Sequence, residues 1–316
     1  MCKYALKHSV FFLEAAPSFS FYCPFRAPVK CAMMKGEWKR SVKHVKQPRN
    51  PRRLVVKVGT STLTRETGSL NLQNMEHLAR VLADLEGMGY QPVLVSSGAI
   101  GIGTKKLRLG ERPTELRMKQ AAAAVGQCRM MHIYDKLFAE YNRTVAQILL
   151  TGEDVESPVR SEHLHNTFEA LLELGVIPVV KENDSVSSAE IETGQCKVLG
   201  DNDTLSAIVA RLCGAGLLVL FSDIDGLYDA DPRTHPDARL IHQVEAITPE
   251  LRAMAGGAGT WRGTGGMATK LNAAQLCLEA GVDMVIANGA RMEALYDIVE
   301  GKNVGTRFSA RRGALQ

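Results

Sequence analysis

From Leu54 onward the chain alternates short apolar runs with longer stretches of helical period, and few folds accommodate that alternation. Such apolar runs are typical of strands buried on both faces of a sheet. Together they predict a three-layer α/β/α sandwich with a mainly parallel sheet. The segment with Gly98, Gly101 and Gly103 is predicted as a turn. The predicted strands are residues 54–58, 92–95, 145–150, 176–180, 217–221 and 284–287, and the predicted helices are residues 74–86, 115–141, 162–174, 203–213 and 267–280.

Residues 1–52 differ from the rest of the chain because they are basic, contain several prolines and show no sustained period. We expect them to be a disordered extension before a folded domain at residues 53–310 and a tail at residues 311–316. An organelle transit peptide and a later start at Met33 or Met34 stay open as alternatives. The formal charge of +4 arises in this extension, so no nucleic-acid-binding surface is expected on the folded domain.

Cysteine use and hydropathy restrict the cellular setting. The seven cysteines are scattered and form no C-x-x-C pair, which favours free thiols in a reducing compartment. No apolar run approaches the roughly 20 residues that a membrane-spanning helix needs. We therefore expect a soluble cytoplasmic protein without membrane partners, with an organelle as the alternative if the extension is a transit peptide.

Glycine-rich and polar segments follow the first two predicted strands, where doubly wound sheets bind their ligands. VVKVGTS places Lys57 inside the first strand, and a lysine in an apolar strand needs an anion or a solvated pocket. VSSGAIG follows the second strand; its small residues expose backbone N–H groups to an anion, and Ser97 adds a hydroxyl donor. An ordinary turn and a lysine that extends to solvent stay open on these segments alone.

Two acidic segments lie farther along the chain. KEND ends at Asp184 after the fourth predicted strand, and GDND, residues 200–203, opens a helix that Asn202 or a neighbouring aspartate can cap. A cap explains one carboxylate but not a second acidic cluster at another strand end. Carboxylates near a phosphate site hold Mg²⁺ or position a lysine.

The remaining segments complete a predicted phosphate site. SDIDGLY places Ser222 and Asp223 at the end of the fifth strand. GTGGMATK is a glycine-rich loop that leads into a helix, and Lys270 on the first turn adds a cation to the free N–H groups. The loop is not G-x-x-x-x-G-K-[ST], and the absence of G-x-G-x-x-G after the first strand counts against a dinucleotide-dependent oxidoreductase. These segments together predict a small-molecule kinase.

Five motifs in this order resemble the glutamate 5-kinase branch of the amino-acid kinase family over about residues 54–308. They are VVKVGTS, VSSGAIGIG, ENDSV with GDND, SDIDGLY with ADPR, and GTGGMATK. The first and last recur in variant form across amino-acid kinases, whereas the central motifs and the helix with QAAAAVGQ are typical of the glutamate enzymes. The resemblance implies a sandwich whose mostly parallel sheet has about eight strands.

The resemblance also implies roles for matching residues. Lys57, Lys270 and Asp203 would be catalytic, with the two lysines on the transferred phosphate. Ser97, Asp184 and Asn202 would bind L-glutamate in a pocket that Asp201 and Asp203 shape. The implied ATP-binding residues are Lys57, Ser222, Asp223, Thr264, Gly265, Gly266, Met267, Ala268, Thr269 and Lys270.

The implied reaction transfers the ATP γ-phosphoryl group to the side-chain carboxylate of L-glutamate, the first step of proline biosynthesis. A carboxylate is ionised at pH 7 and needs no general base, so lysines and Mg²⁺ must supply positioning and charge. The Mg²⁺ would be carried by ATP, and no protein residue is assigned as a metal ligand. His163 and His165 are not expected to bind a metal, because they face opposite ways on a strand and diverge on a helix.

Two features depart from the family pattern. Lys181 stands where the family usually has asparagine, and this added cation predicts altered glutamate affinity or feedback control. The chain ends at Gln316, so we expect the RNA-binding-like C-terminal domain of many bacterial members to be missing. The resemblance further implies proline as a feedback inhibitor, a homo-oligomer, and glutamyl-phosphate reductase as the pathway partner for the labile product.

Two alternatives stay open. Another amino-acid kinase would act on aspartate, acetylglutamate, carbamate or a nucleoside monophosphate. A catalytically silent module would sense proline or glutamate, although the presence of both Lys57 and Lys270 argues against it.

Overall fold

The computed structural model describes residues 49–65, 69–186, 201–232, 234–254 and 266–309. The chain divides into two units, residues 1–45 and 46–316, and all described residues belong to the second unit. The described strands are β1 Asn50–Val58, β2 Gln91–Ser96, β3 Val145–Leu150, β4 Ile177–Glu182, β5 Ala215–Ser222, β6 Gln243–Val244, β7 Asp283–Asn288 and β8 Thr306–Phe308. The described helices are α1 Thr60–Leu63, α2 Leu72–Gly87, α3 Ala99–Lys106, α4 Leu116–Ala139, α5 Gly152–Glu156, α6 Pro158–Glu173, α7 Asn202–Leu212, α8 Pro249–Met254, α9 Met267–Ala280 and α10 Ala294–Val299.

The strands form one 8-stranded sheet in the order β3-β4-β2-β1-β5-β7-β8-β6. Every neighbouring pair is parallel except β7 and β8. Strand β1 lies between β2 and β5, and Lys57 is in register with Val95 on one side and Leu220 on the other. The predicted mainly parallel sheet is confirmed, and the first strand of the domain occupies its centre.

Alternate residues of the central strands supply two separate cores, which produces the three layers. On one face, Val55 packs with Phe168 of α6 and Leu205 of α7. On the other face, Val56 packs with residues of α2, α4 and α10, including Tyr134. Burial on both faces explains why these strands read as continuous apolar runs rather than as alternating ones.

The segment predicted as a glycine-rich turn is a turn only at Gly98, which has a φ of 98° and precedes helix α3. The rest of that prediction is wrong, because Gly101 and Gly103 lie within α3. A Cβ atom on Gly103 would lie 1.7 Å from the carbonyl oxygen of Ala122, and one on Gly126 would lie 1.8 Å from that of Ala99. These glycines let helices α3 and α4 pack backbone against backbone.

The other predicted elements are present; β3 and α9 have the predicted bounds, and the rest have shifted ends. Helix α6 begins at Pro158, four residues before the predicted start, because the Ser157 side chain accepts a hydrogen bond from Arg160 N and caps it. Strand β1 begins at Asn50 rather than Leu54. Within the described residues, no helix is long and apolar enough to cross a membrane.

Arg53 joins several elements at the amino ends of the central strands. Its guanidinium is buried and donates to both carboxylate oxygens of Glu169 in α6 and to the carbonyl oxygen of Cys213. It also donates from Nε to Gln91 Oε1 on β2, at 3.0 Å. This network fixes the edge of the sheet that lies opposite the predicted site.

Candidate active site

The carboxyl ends of the central parallel strands bring the predicted site segments to one edge of the sheet. Val58, the last residue of β1, is in register with Ser96 of β2 and Phe221 of β5. Ser222, the last residue of β5, is in register with Asn288 of β7. Segments far apart in the sequence therefore meet at the edge where α/β sheets bind ligands.

Lys57, Asp203 and Lys270 form what we call the lysine–aspartate cluster. Lys57 Nζ lies 2.6 Å from Asp203 Oδ1, and Lys270 Nζ lies 3.1 Å from Asp203 Oδ2. All three side chains are buried, and only 2% of the surface of Asp203 is exposed. The structure thus brings together the three residues that the sequence predicted to be catalytic.

Two hydrogen-bonding neighbours hold the central aspartate. Asp201 caps helix α7 by accepting from the backbone N–H groups of Asp203 and Thr204, at 2.8 and 2.9 Å. Thr269, in the first turn of α9, donates its hydroxyl to Asp203 Oδ2 at 3.0 Å. The carboxylate is therefore fixed between the first turns of two helices, and Asp201 is the cap among the candidates at this helix start.

The charges of the cluster keep its carboxylate ionised. Burial opposes ionisation of Asp203, but the ammonium groups of Lys57 and Lys270 outweigh burial and hold the pKa of that carboxyl below its ordinary value. One carboxylate between two ammonium groups leaves a net positive charge. A cluster of this kind attracts phosphate oxygens.

Ser97 links the ends of the first two strands. Its buried hydroxyl donates to the carbonyl oxygen of Val58 at 3.0 Å. Gly98 follows in the left-handed region, and a Cβ atom there would contact the Thr60 side chain at 3.5 Å. In this structure the Ser97 hydroxyl proton is used by the backbone at the end of β1, so it is not the free donor to an anion that the sequence predicted.

Asp184 is paired with Lys181, the residue that departs from the family pattern. Lys181 Nζ donates to Asp184 Oδ2. The lysine lies in strand β4, and its side chain is buried. Gln127 of α4 donates its amide to the carbonyl oxygen of Glu182 at 3.1 Å, which fixes the end of β4. The sequence analysis assigned no role to Gln127. Its position in the QAAAAVGQ motif was the one feature of the sequence that could have indicated a role.

The end of β5 carries the residues predicted to bind nucleotide. Ser222 donates its hydroxyl to Asp223 Oδ1 at 3.1 Å, and Gly289 N donates to the Ser222 carbonyl oxygen at 2.8 Å. Beside them, Asn288 Nδ2 donates to Asp225 Oδ1 at 2.8 Å. Sequence reasoning missed Asn288, because a lone asparagine at the end of a strand gives no signal without the register of β5 and β7.

The glycine-rich loop is described only in part. Thr264 and Gly265 lie outside the described residues, whereas Gly266 is the N-cap of α9 and Met267, Ala268 and Thr269 form its first turn. Asn202 is the first residue of α7 and is partly exposed next to Asp203. The cluster is thus flanked by both helix starts that the sequence predicted.

His163 and His165 lie on α6, and His165 Nδ1 is 3.0 Å from the carbonyl oxygen of Leu212. Within the described ranges, no three histidine, cysteine or acidic side chains are grouped to hold a metal ion.

Comparison with known proteins gives one consistent result. Residues 52–288 match the amino acid kinase family. The chain is 53% identical over 265 residues to a glutamate 5-kinase of Clostridium perfringens, covering 84% of this chain and 98% of that protein. It is 56% identical over 257 residues to the glutamate 5-kinase of Clostridium tetani, covering 81% and 94%.

A solved structure shares the fold at low sequence identity. The UMP kinase of Bacillus anthracis superposes with a TM-score of 0.57 at 16% identity, covering 84% of this chain and 98% of that one. This likeness shows that the two chains share one fold. The chain belongs to the amino acid kinase family and lies within its glutamate 5-kinase branch.

Proposed function

We propose that this chain transfers the γ-phosphoryl group of ATP to the side-chain carboxylate of L-glutamate and forms L-glutamyl 5-phosphate, the first step of proline biosynthesis. The observation that carries this proposal is the lysine–aspartate cluster, in which Asp203 holds Lys57 and Lys270 at the carboxyl edge of the sheet. The high identity to glutamate 5-kinases supports glutamate as the acceptor.

The cluster suits this chemistry because phosphoryl transfer to a carboxylate needs charge and position rather than a base. An acceptor oxygen bonds to the γ-phosphorus while the bond from that phosphorus to the β,γ-bridging oxygen breaks, and ADP leaves. The carboxylate acceptor is ionised at pH 7, so no proton is removed from it. Lys57 and Lys270 neutralise the phosphoryl oxygens, and Asp203 keeps both ammonium groups in place.

We propose that Mg²⁺ enters bound to the phosphates of ATP. Both carboxylate oxygens of Asp203 already face an ammonium group, so the cluster fits phosphate oxygens better than a bare divalent cation. When bound, Mg²⁺ would neutralise charge that develops on the phosphates.

The remaining site residues are proposed in the roles that the family resemblance gives them. Ser97, Asp184 and Asn202 would contact glutamate, because they follow β2, follow β4 and open α7 at the same edge. Ser222 and Asp223 after β5, with the loop before α9, would contact ATP. In this arrangement the cluster lies between acceptor and nucleotide.

Several wider properties are proposed with this function. The catalytic domain would span residues 53–310. Proline would act as a feedback inhibitor, the chain would form a homo-oligomer, and glutamyl-phosphate reductase would consume the labile product. The free thiols of Cys128, Cys213 and Cys277 support a reducing compartment, for which we propose the cytoplasm.

Hydroxylamine trapping tests the proposed function, because it converts an acyl phosphate into a stable hydroxamate. With ATP and Mg²⁺, we expect hydroxamate from L-glutamate and far less from aspartate, acetylglutamate or carbamate. Turnover of another acceptor together with inactivity on glutamate would contradict the proposed substrate.

A further inference from the structure

Lys181 is a buried cation that the proposed reaction does not use. Its side chain lies in β4, where strand residues alternate between the two cores of the domain, and only 4% of the residue surface is exposed. A buried ammonium group costs free energy unless an anion lies beside it. In the described part of the chain, its recorded anionic partner is Asp184.

The acidic member of the Lys181–Asp184 pair is the more exposed of the two. The Asp184 side chain is 23% exposed, whereas that of Lys181 is 5% exposed. The backbone around the pair is held by Asn183 N, which donates to the Leu150 carbonyl oxygen at 2.8 Å, and by Gln127, which donates to the Glu182 carbonyl oxygen. The pair therefore has a fixed place at the carboxyl end of β4.

A fixed pair of opposite charges fits a ligand that carries two opposite charges side by side. An α-amino acid has such a head group, with an ammonium group and a carboxylate on the same carbon. Asp184 attracts the ammonium group, and Lys181 attracts the α-carboxylate with N–H donors that the single carboxylate of Asp184 does not exhaust. A carboxylate pocket without the lysine would attract the ammonium group alone.

We propose that Lys181 binds the α-carboxylate of the acceptor, so that the Lys181–Asp184 pair selects a zwitterionic α-amino acid. This inference rests on the proposed function and deepens it, because it names the residue that recognises one end of the acceptor. The side-chain carboxylate at the other end of the acceptor then lies free for phosphoryl transfer at the lysine–aspartate cluster.

Three acceptor compounds allow the contribution of each head-group charge to be measured separately. L-Glutamate carries both charges, 4-aminobutyrate lacks the α-carboxylate, and glutarate lacks the ammonium group. Each keeps a carboxylate that hydroxylamine trapping can report after phosphorylation. The Lys181→Met variant removes the cation at similar volume, and Asp184→Asn removes the anion.

We expect Lys181→Met to raise the KM for glutamate about ten- to hundredfold, the effect of losing one charge-assisted hydrogen bond. The KM for 4-aminobutyrate should not rise, because that acceptor has no α-carboxylate. Asp184→Asn should show the opposite pattern, with glutamate and 4-aminobutyrate weakened and glutarate spared. Lys136→Met, which removes an exposed lysine of α4, serves as the matched control and should leave all three values unchanged.

Two results of the KM measurements would overturn the inference. An equal rise in KM for glutamate and 4-aminobutyrate in Lys181→Met would mean that the lysine only positions Asp184. A fall in the KM for glutamate would mean that Lys181 competes with the acceptor ammonium group. Lys181→Arg keeps the charge and should keep the discrimination, and Lys181→Asn replaces Lys181→Met if the latter does not fold.

Thermal-shift binding of the same three acceptors separates this inference from the proposed function. If wild type binds glutamate but forms no hydroxamate, the proposed function fails while the loss of binding in Lys181→Met still reports on head-group recognition. If wild type forms hydroxamate and Lys181→Met binds glutamate as wild type does, the inference fails and the function stands.

Discussion

At the scale of single residues, Asp203 has two effects on the lysines beside it. Its carboxylate neutralises one of two buried ammonium groups, and it fixes the positions of both. Because the charge of the second ammonium group is not neutralised, the cluster has a net positive charge that attracts an anion. Buried ion pairs often contribute little to stability compared with apolar packing, so this arrangement is better explained by function.

Lys270→Ala should lower kcat about 100- to 1,000-fold, because it removes one preorganised cation from the transferred phosphoryl group. The KM for glutamate should change much less, since the acceptor is expected to bind mainly through other residues. Steady-state hydroxamate formation measures both values. Lys302→Ala removes an exposed lysine that pairs with Asp297 and Glu300 and serves as the control; equal kcat in Lys270→Ala and this control would remove Lys270 from the mechanism.

Asp203→Asn should lower the free energy of unfolding at pH 7 by about 3–5 kcal/mol, because it leaves two buried ammonium groups without their carboxylate. The lysines hold the pKa of Asp203 below its ordinary value. Its ionised form therefore stabilises the fold fully above about pH 4, and this contribution is lost as the pH falls through the lowered pKa.

Urea unfolding of wild type and Asp203→Asn across the acid range checks this sign. The difference in unfolding free energy should be constant from about pH 5 to 7 and should shrink only at more acidic pH. A difference that grows as the pH falls would be incompatible with a lowered pKa for Asp203.

At the scale of elements, helix α3 packs closely on α4, and the residues before α3 lie beside the end of β1. Gly103 and Gly126 allow this approach, because each faces a backbone carbonyl of the other helix. Gly101 lies on the same short helix, but a Cβ atom at this position would have no neighbour within 4 Å. The glycines of one motif therefore have different roles.

Gly126→Ala should lower the free energy of unfolding by about 3 kcal/mol, the upper end of the range for overpacked cores. The cost is high because the new methyl group would collide with the backbone carbonyl of Ala99, which cannot move aside as a side chain can. Gly101→Ala is the matched control and should stabilise the helix by about 0.5–1 kcal/mol, because the new methyl group meets no neighbour. Denaturant midpoints measure both changes. Equal midpoints for the two variants would show that the helix crossing tolerates a wider spacing.

The same helices show what the sequence could predict. Apolar runs identified six of the strands and located Lys57 in the first, and a glycine-rich loop located Lys270, because buried parallel strands and phosphate loops have local signatures. Helix α3 was missed because Gly103 is explained only by contact with α4, and the local sequence pattern does not reveal that neighbour. The ion pairs of Asp203 likewise depend on the order of the strands in the sheet, whereas that of Lys181 joins two residues three positions apart.

At the scale of the whole molecule, the proposed active site and the hydrogen bonds of Arg53 lie at opposite edges of one sheet. The carboxyl edge carries the lysine–aspartate cluster and the Lys181–Asp184 pair. The amino edge carries Arg53, which joins β1 to β2, α6 and the end of α7. The hydrogen bonds of Arg53 hold the pKa of Glu169 below its ordinary value, in keeping with a strong pair.

Arg53→Met should lower the free energy of unfolding by about 2–4 kcal/mol, less than for a fully buried pair because Glu169 is partly exposed. The KM for glutamate should stay within about twofold of wild type, since the change lies at the far edge of the sheet. Arg80→Met, which removes an exposed pair with Glu293, is the control and should cost less than about 1 kcal/mol. A large change in KM with little loss of stability would contradict this division of the sheet.

The proposed reaction itself is tested by incubating the purified chain with ATP, Mg²⁺, L-glutamate and hydroxylamine and measuring γ-glutamyl hydroxamate and ADP. Wild type should form both in equal amounts, and Lys270→Ala should form neither above about 1% of that rate. ADP release without hydroxamate, or hydroxamate formation that persists in Lys270→Ala, would contradict phosphoryl transfer to glutamate at the lysine–aspartate cluster.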